Sequence, residues 1–215
     1  MTVTVNRSRK RTWWQLLGYL ARRATMAEVR SYQSIYRFTF RRPRVPAGAV
    51  GFSYHQPIFA ILVVFIAVSA VELVVVDLIA RRWDHVRIPL LILSIWGLVW
   101  MFGLLCGMLT RPHAVGPGGI RVRYGAAVDI PLGWDDIYAV SKRKRTIQEK
   151  EPTVTVDDHG DATVHLRIGS ETNIELKLER PTPMRLPHGS ETVSKVALYV
   201  DDPKAFMDAV RHHIG

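Results

Sequence analysis

Residues 58–79 read IFAILVVFIAVSAVELVVVDLI, and residues 88–109 read IPLLILSIWGLVWMFGLLCGML. Each stretch has 22 residues. The first contains two charged residues, Glu72 and Asp77, and the second contains none. A helix rises 1.5 Å per residue, so each stretch is long enough to cross a hydrocarbon core of about 30 Å. The eight residues between them allow only a tight turn. The sequence therefore predicts an integral membrane protein with a two-helix transmembrane hairpin in residues 57–110.

The charge of the chain is concentrated in front of this hairpin. Residues 1–56 carry eleven Lys and Arg and one acid, whereas residues 57–110 and 111–215 are each neutral. Two spans put both termini on one side, and the positive-inside rule makes that side the cytoplasm. We expect a multi-pass protein of the cell membrane with both termini cytoplasmic. Anionic lipid explains a basic segment next to a span better than nucleic acid does, so no nucleic-acid partner is expected.

The basic N-terminal segment, residues 1–56, contains a predicted amphipathic helix. Its apolar residues recur at helical spacing from Trp13 to Ala27. Such a helix can lie in the lipid headgroup region or pack on protein, and the sequence leaves both readings open. The basic residues expected to contact lipid in this segment are Arg22, Arg23, Arg41, Arg42 and Arg44.

Residues 111–215 change from apolar runs to alternation of apolar and polar residues, which is typical of half-buried strands. Seven strands are predicted, near residues 120–124, 128–132, 137–140, 154–156, 164–168, 174–178 and 196–200. Asp202 and Pro203 then form a good helix start, and Phe206, Val210 and Ile214 repeat every four residues. We therefore expect a mostly β domain of seven strands and a C-terminal helix.

Two short motifs resemble those of bacterial pleckstrin-homology-like (PH-like) domains. One is GGIRVRYG at residues 118–125, and the other is Ile130-Pro131 followed by WDDI at residues 134–137. The resemblance implies a bent β-sandwich closed by a helix, carried by uncharacterised bacterial membrane proteins with two transmembrane helices. It implies protein or lipid interaction and no chemistry. The loop at residues 125–127 lacks the basic residues that phosphoinositide-binding PH domains use, so phosphoinositide recognition is not expected.

Two acids in the first span are candidate functional residues, because an acid inside a membrane is costly to place there. Asp77 lies near the end of its helix, within reach of Arg81 and Arg87. Glu72 lies deeper, about seven residues from that end. It can be protonated, pair with Arg87, or face a partner protein.

Gly103 and Gly107 form a GxxxG pattern in the second span, which lets another helix approach closely. That helix is either the first span or one from a second subunit. A further basic cluster, at Lys142, Arg143, Lys144 and Arg145, follows the third predicted strand. It is either a solvated loop or a lipid contact.

Nothing in the sequence indicates an enzyme, a metal site or a cofactor. The single cysteine, Cys106, excludes a disulfide within the chain, and adjacent His212 and His213 point apart on a helix. We expect a non-enzymatic membrane-anchored adaptor or scaffold that displays a cytoplasmic PH-like domain to a protein, or to lipid. The alternative is an accessory subunit of a membrane transport or envelope-assembly complex, with Glu72 at a helix–helix interface. The expected partners are the lipid bilayer and a membrane protein or a second copy of the chain.

Overall fold

The computed structural model describes residues 18, 25, 28–29, 31–40, 44–125, 128–147, 153–187 and 189–214. The helices are α1 (residues 31–39), α2 (Gln56–Ile79), α3 (Asp84–Thr110) and α4 (Pro203–Ile214). The strands are β1 (Val50–Phe52), β2 (His113–Gly116), β3 (Gly119–Tyr124), β4 (Val128–Leu132), β5 (Ile137–Thr146), β6 (Thr153–Val156), β7 (Ala162–Leu166), β8 (Glu171–Leu186) and β9 (Gly189–Leu198).

α2 and α3 form an antiparallel hairpin that is closed by one 3₁₀ turn at Ala80–Arg82. They have 24 and 27 residues, which makes them about 36 and 40 Å long. α2 has no buried residue, and the residues that α3 buries lie near its C-terminal end. Both helices are long and apolar enough to cross a membrane, as the sequence predicted.

One stripe of α2 packs on α3, and most of the other positions of α2 are exposed. Five of its half-buried positions follow one another at alternating spacings of four and three residues, the spacing of a seam between two helices. They are Leu62, Ile66, Ser69, Leu73 and Val76, with Ala80 buried at the turn.

The first sheet has four antiparallel strands in the order β1-β2-β3-β4. β1 precedes the hairpin and β2 follows it, and the two pair with Val50 opposite Val115 and Phe52 opposite His113. The hairpin is therefore inserted between two neighbouring strands of one sheet. The β domain contains chain from both sides of the hairpin.

The second sheet has the order β5-β8-β9-β7-β6 and is antiparallel except for the parallel pair β7 and β9. Apolar side chains from both sheets and from α4 make one core. Phe206 of α4 is fully buried and meets Phe52 of β1 edge to face, with 5.2 Å between the ring centroids. The C-terminal helix is thus a core element, and it packs on residues that lie before the hairpin.

The seven predicted strands are all present, but the predicted number is wrong, since the described residues contain nine. The two additional strands are β1 and β2, which have three and four residues and lie between prolines and glycines. Runs this short give no visible alternation. A seven-stranded PH-like domain is expected from the resemblance. The structure has two additional strands and a parallel pair, β7–β9, and does not support that fold.

A glycine of the first PH-like motif has a structural reason in this fold. Gly119 begins β3 with φ at +118°, and a Cβ there would lie 2.0 Å from the carbonyl oxygen of Leu132 in β4. Only glycine allows both the conformation and this close approach. The motif therefore reports a tight contact between neighbouring strands.

Candidate functional site

The candidate site is the junction at which the helical hairpin joins the β domain. Arg123 of β3 donates from its Nη1 to the carbonyl oxygens of Arg44, before β1, and of Pro112, after α3. The backbone N–H of Arg44 also donates to the carbonyl of Thr110, at 2.9 Å. One side chain of the β domain therefore ties the segment before β1 to the end of α3.

The Arg123 side chain is almost fully buried, with 3% of its surface exposed. Its Nε lies 3.5 Å from Oδ1 of Asp129, the same oxygen that pairs with the half-exposed Arg121 at 2.8 Å. Burial lowers the pKa of Arg123, and the neighbouring Asp129 partly offsets this. The guanidinium stays charged all the same. A buried charge needs each of its partners, so these contacts fix the geometry of the junction.

A second tie comes from the loop between β9 and α4. The Asp201 carboxylate accepts the backbone N–H groups of His55 and Gln56, at 3.2 and 3.0 Å, where α2 begins. The backbone N–H of Asp201 donates to the carbonyl of Ser53 at 2.8 Å. The His55 side chain provides no cap of its own. A carboxylate is favourable at the positive end of a helix, so Asp201 holds the start of α2 on the β domain.

Tyr54 and His113 form the buried centre of the junction, with their rings 4.6 Å apart. The Tyr54 hydroxyl accepts the backbone N–H of Gly125 at 3.0 Å. The backbone N–H of Arg123 donates to Nδ1 of His113, so Nε2 carries the proton and donates to the carbonyl of Tyr199. Burial raises the pKa of Tyr54 to about 12 and lowers the pKa of His113 to about 4. Both side chains are therefore neutral at pH 7.

The GxxxG pattern of α3 receives α1. A Cβ on Gly103 would lie 2.6 Å from Cβ of Ser31, and a Cβ on Gly107 would lie 3.8 Å from Cβ of Ser34. Ser34 is almost fully buried by this contact. The sequence had suggested the first span or a second subunit as the neighbour of these glycines. α1 occupies that position instead, because its serines are small enough to let the backbones approach.

Packing of α1 on α3 extends to the preceding turn of the N-terminal segment. The indole Nε1 of Trp96 donates to Oε1 of Glu28 at 2.7 Å, and Phe38 meets Phe102 edge to face. The amphipathic helix predicted from Trp13 to Ala27 lies almost wholly outside the described residues, so both of its readings stay predictions.

The two acids of α2 have different surroundings. Asp77 receives two hydrogen bonds from Arg87, from Nε at 2.6 Å and from Nη2 at 3.1 Å. Glu72 is exposed, and it has no hydrogen-bond or ion-pair partner among the residues that the structure describes. The pairing of Glu72 with Arg87 that the sequence allowed is not formed, because Arg87 binds Asp77.

The predicted lipid-contacting residues divide into three groups. Arg22, Arg23, Arg41 and Arg42 lie outside the described residues, and Arg44 is exposed beside the junction. The cluster of residues 142–145 is not in a loop, because β5 continues through it to Thr146. Within it, Arg143 and Arg145 pair with Glu175 of β8, and Lys144 pairs with Glu171. The cluster is thus part of a sheet, and two acids pair with three of its four cations, which the run of basic residues did not indicate.

A half-open groove of about 210 Å³ lies at one end of the first sheet, beside the β2–β3 turn. Its lining is mainly Pro, Gly and Ala from the segment before β1, the β2–β3 turn and the end of β4, and Arg121 is the charged side chain in it. In the described part of the chain, no three His, Cys, Asp or Glu side chains come together as metal ligands.

The sequence did not single out the four residues that build the junction, which are Tyr54, His113, Arg123 and Asp201. Arg123 looks like one polar residue of an alternating strand, and Asp201 looks like a neighbour of the cap Asp202. Asp202 does cap α4, through a 3.0 Å bond from the backbone N–H of Ala205. Asp201 caps a helix 145 positions away, for which no local signal exists.

Comparisons of the chain with known protein families, with curated proteins and with solved structures found no match.

Proposed function

We propose that this protein is a non-enzymatic adaptor, anchored in the membrane by α2 and α3, that displays its β domain to a protein partner on the cytoplasmic side. One observation supports this most strongly. β1 and β2 flank the hairpin and pair with each other, and Arg123 and Asp201 bind the chain where α3 ends and α2 begins. A domain joined in this way keeps a fixed orientation to its anchor, unlike a domain on a flexible linker.

Charge supports the cytoplasmic placement of the β domain and of both termini. The positive excess of the chain lies in residues 1–56, on the same side of the hairpin as the β domain. This side would face the anionic cytoplasmic leaflet, where each Lys or Arg near the surface contributes about 1 kcal/mol of attraction. Lipid contact by this segment would add to the anchoring. The PH-like motifs at residues 118–137 are compatible with such a display domain, but the proposal does not depend on that resemblance.

The adaptor function is tested by comparing two neighbouring substitutions in the full chain. Leu176→Asp puts a charge at a fully buried core position and should unfold the β domain while leaving the hairpin inserted. Lys177→Asp, at the exposed next position, is the matched control. Both variants should stay in membranes after alkaline carbonate extraction. A protein that co-purifies in mild detergent should be lost with Leu176→Asp and kept with Lys177→Asp. Retention with both variants would contradict a display function for the β domain.

A second candidate function is an accessory subunit of a membrane transport or envelope-assembly complex. The exposed position of Glu72 on α2 favours it, since a partner within the membrane would then contact the hairpin. In the same experiment, this function predicts that the co-purifying protein stays bound to Leu176→Asp and is lost with Glu72→Gln.

A further inference from the structure

We propose that the face of α2 around Glu72 is a docking surface for a transmembrane helix of a different protein, and that this helix carries Lys or Arg at the depth of Glu72. The proposal depends on the membrane anchoring proposed above, and it adds the surface and the chemistry of the partner.

α2 carries a second seam besides the one that packs on α3. Its members recur at spacings of three and four residues, offset by one position from the seam that faces α3, and are Phe65, Val68, Glu72, Val75 and Ile79. The apolar members are between 48% and 70% exposed. Positions repeating in this way lie on one side of a helix, where a partner helix can pack, and one polar residue among them can select the partner. The seam therefore has the form of a helix-packing surface without a helix on it.

Among the residues that the structure describes, two other acids near the hairpin have a hydrogen-bond donor and Glu72 has none. Asp77 is bound by Arg87, and Glu28 is bound by the indole of Trp96. Glu72 lies seven residues before the end of α2, about 10 Å along the helix axis, with apolar side chains on each side. An ionised acid in such surroundings is unfavourable by several kcal/mol unless a partner meets it.

Charge complementarity favours a different protein over a second copy of this chain. A second copy inserts in the same direction, so it would bring its own Glu72 to the same depth. The basic residues of the hairpin, Arg81, Arg82 and Arg87, lie in or next to its turn, and Arg87 is already bound to Asp77. A helix with an unpaired Lys or Arg is likewise unfavourable in the membrane. Each charge then makes insertion of the other more favourable, and this would make the pairing specific.

Photo-crosslinking in native membranes tests the proposal with the full chain. A photoreactive residue is placed at Val68 or at Val75, on the seam, or at Leu73, the control position that faces α3. We expect Val68 and Val75 to form an adduct with one different protein that has Lys or Arg within a transmembrane segment, and we expect none from Leu73. Glu72→Gln should lower the adduct yield about fivefold or more. Glu72→Lys combined with an acid in place of the partner's cation should restore the yield.

Three results would overturn the proposal while the chain stays in the membrane after carbonate extraction. These are an adduct with a second copy of the chain, an adduct with lipid alone, and an adduct whose yield does not respond to Glu72→Gln. Extraction of the unsubstituted chain by carbonate would instead contradict the membrane anchoring itself. The two failures are therefore distinguishable.

Discussion

The substitution Arg123→Met tests whether the contacts of Arg123 stabilise the junction. Methionine keeps much of the length and apolar volume of the side chain and removes the guanidinium. The substitution leaves the carbonyls of Arg44 and Pro112 without their shared donor and removes one of the two cations near Asp129. We expect the tie between the segment before β1 and the end of α3 to be lost.

The magnitude follows from the contacts. Hydrogen bonds to a charged group contribute about 1.5–3 kcal/mol each, and Arg123 makes two to backbone carbonyls. Removing a buried charge offsets part of this loss. We expect a net loss of about 2–4 kcal/mol in the free energy of unfolding. For a chain of this size, 1 kcal/mol corresponds to about 2–4 °C, so the melting temperature should fall by roughly 4–16 °C.

Arg121→Met is the matched control, because Arg121 lies on the same strand and pairs with the same Asp129. Its side chain is 45% exposed, and an exposed ion pair contributes no more than about 1 kcal/mol. Its melting temperature should fall by less than about 4 °C. The assay is thermal unfolding of the full chain in mild detergent, followed by tryptophan fluorescence. If Arg123→Met were no less stable than Arg121→Met, the junction would not be held in the way inferred here.

Three further predictions concern α1, the pH dependence and the boundaries of the β domain. Cysteines that replace Ser34 and Gly107 in a chain without Cys106 should form a disulfide on mild oxidation. Their Cβ atoms would be 3.8 Å apart, which suits a disulfide. Electrophoresis without reductant would detect the bond. Burial lowers the pKa of His113 from its ordinary value of 6.5 to about 4 in the folded chain. Between pH 4 and pH 6.5, His113 is therefore protonated in the unfolded chain and neutral in the folded one. Stability measured by thermal unfolding should therefore fall as the pH drops from 6.5 to 4, by up to about 1.4 kcal/mol per pH unit from this group, and His113→Gln should lessen the slope. Residues 111–214 alone should be less stable than the same fragment with residues 44–55 joined to its start by a short linker, because only the second contains β1; urea unfolding and amide spectra would compare them.

The sequence predicted what depends on local pattern. The two long apolar helices follow from composition, and the seven strands with alternating residues follow from the period of two. The C-terminal helix follows from Asp202, Pro203 and the four-residue repeat that buries Phe206 and Val210.

What the sequence did not predict depends on contacts between distant positions. β1 has three residues, and its partner β2 lies beyond the whole hairpin, so neither shows a pattern of its own. The role of Asp201 depends on a helix that starts 145 positions earlier. The sequence predicts a loop at the basic cluster, because the acids that pair with it, Glu171 and Glu175, lie on another strand. The residues that neighbour a position in sequence do not indicate such partners.

In the proposed arrangement, the hairpin crosses the membrane and holds the β domain on the cytoplasmic side. The direct test places single cysteines at His85, in the first turn of α3, and at Ser190, in β9, in a chain with Cys106→Ser. Both positions are exposed. An impermeant thiol reagent should label the cysteine at position 85 in intact cells, and the one at position 190 only after the membrane is permeabilised. Labelling of position 190 in intact cells, or protection of both positions until permeabilisation, would contradict the account.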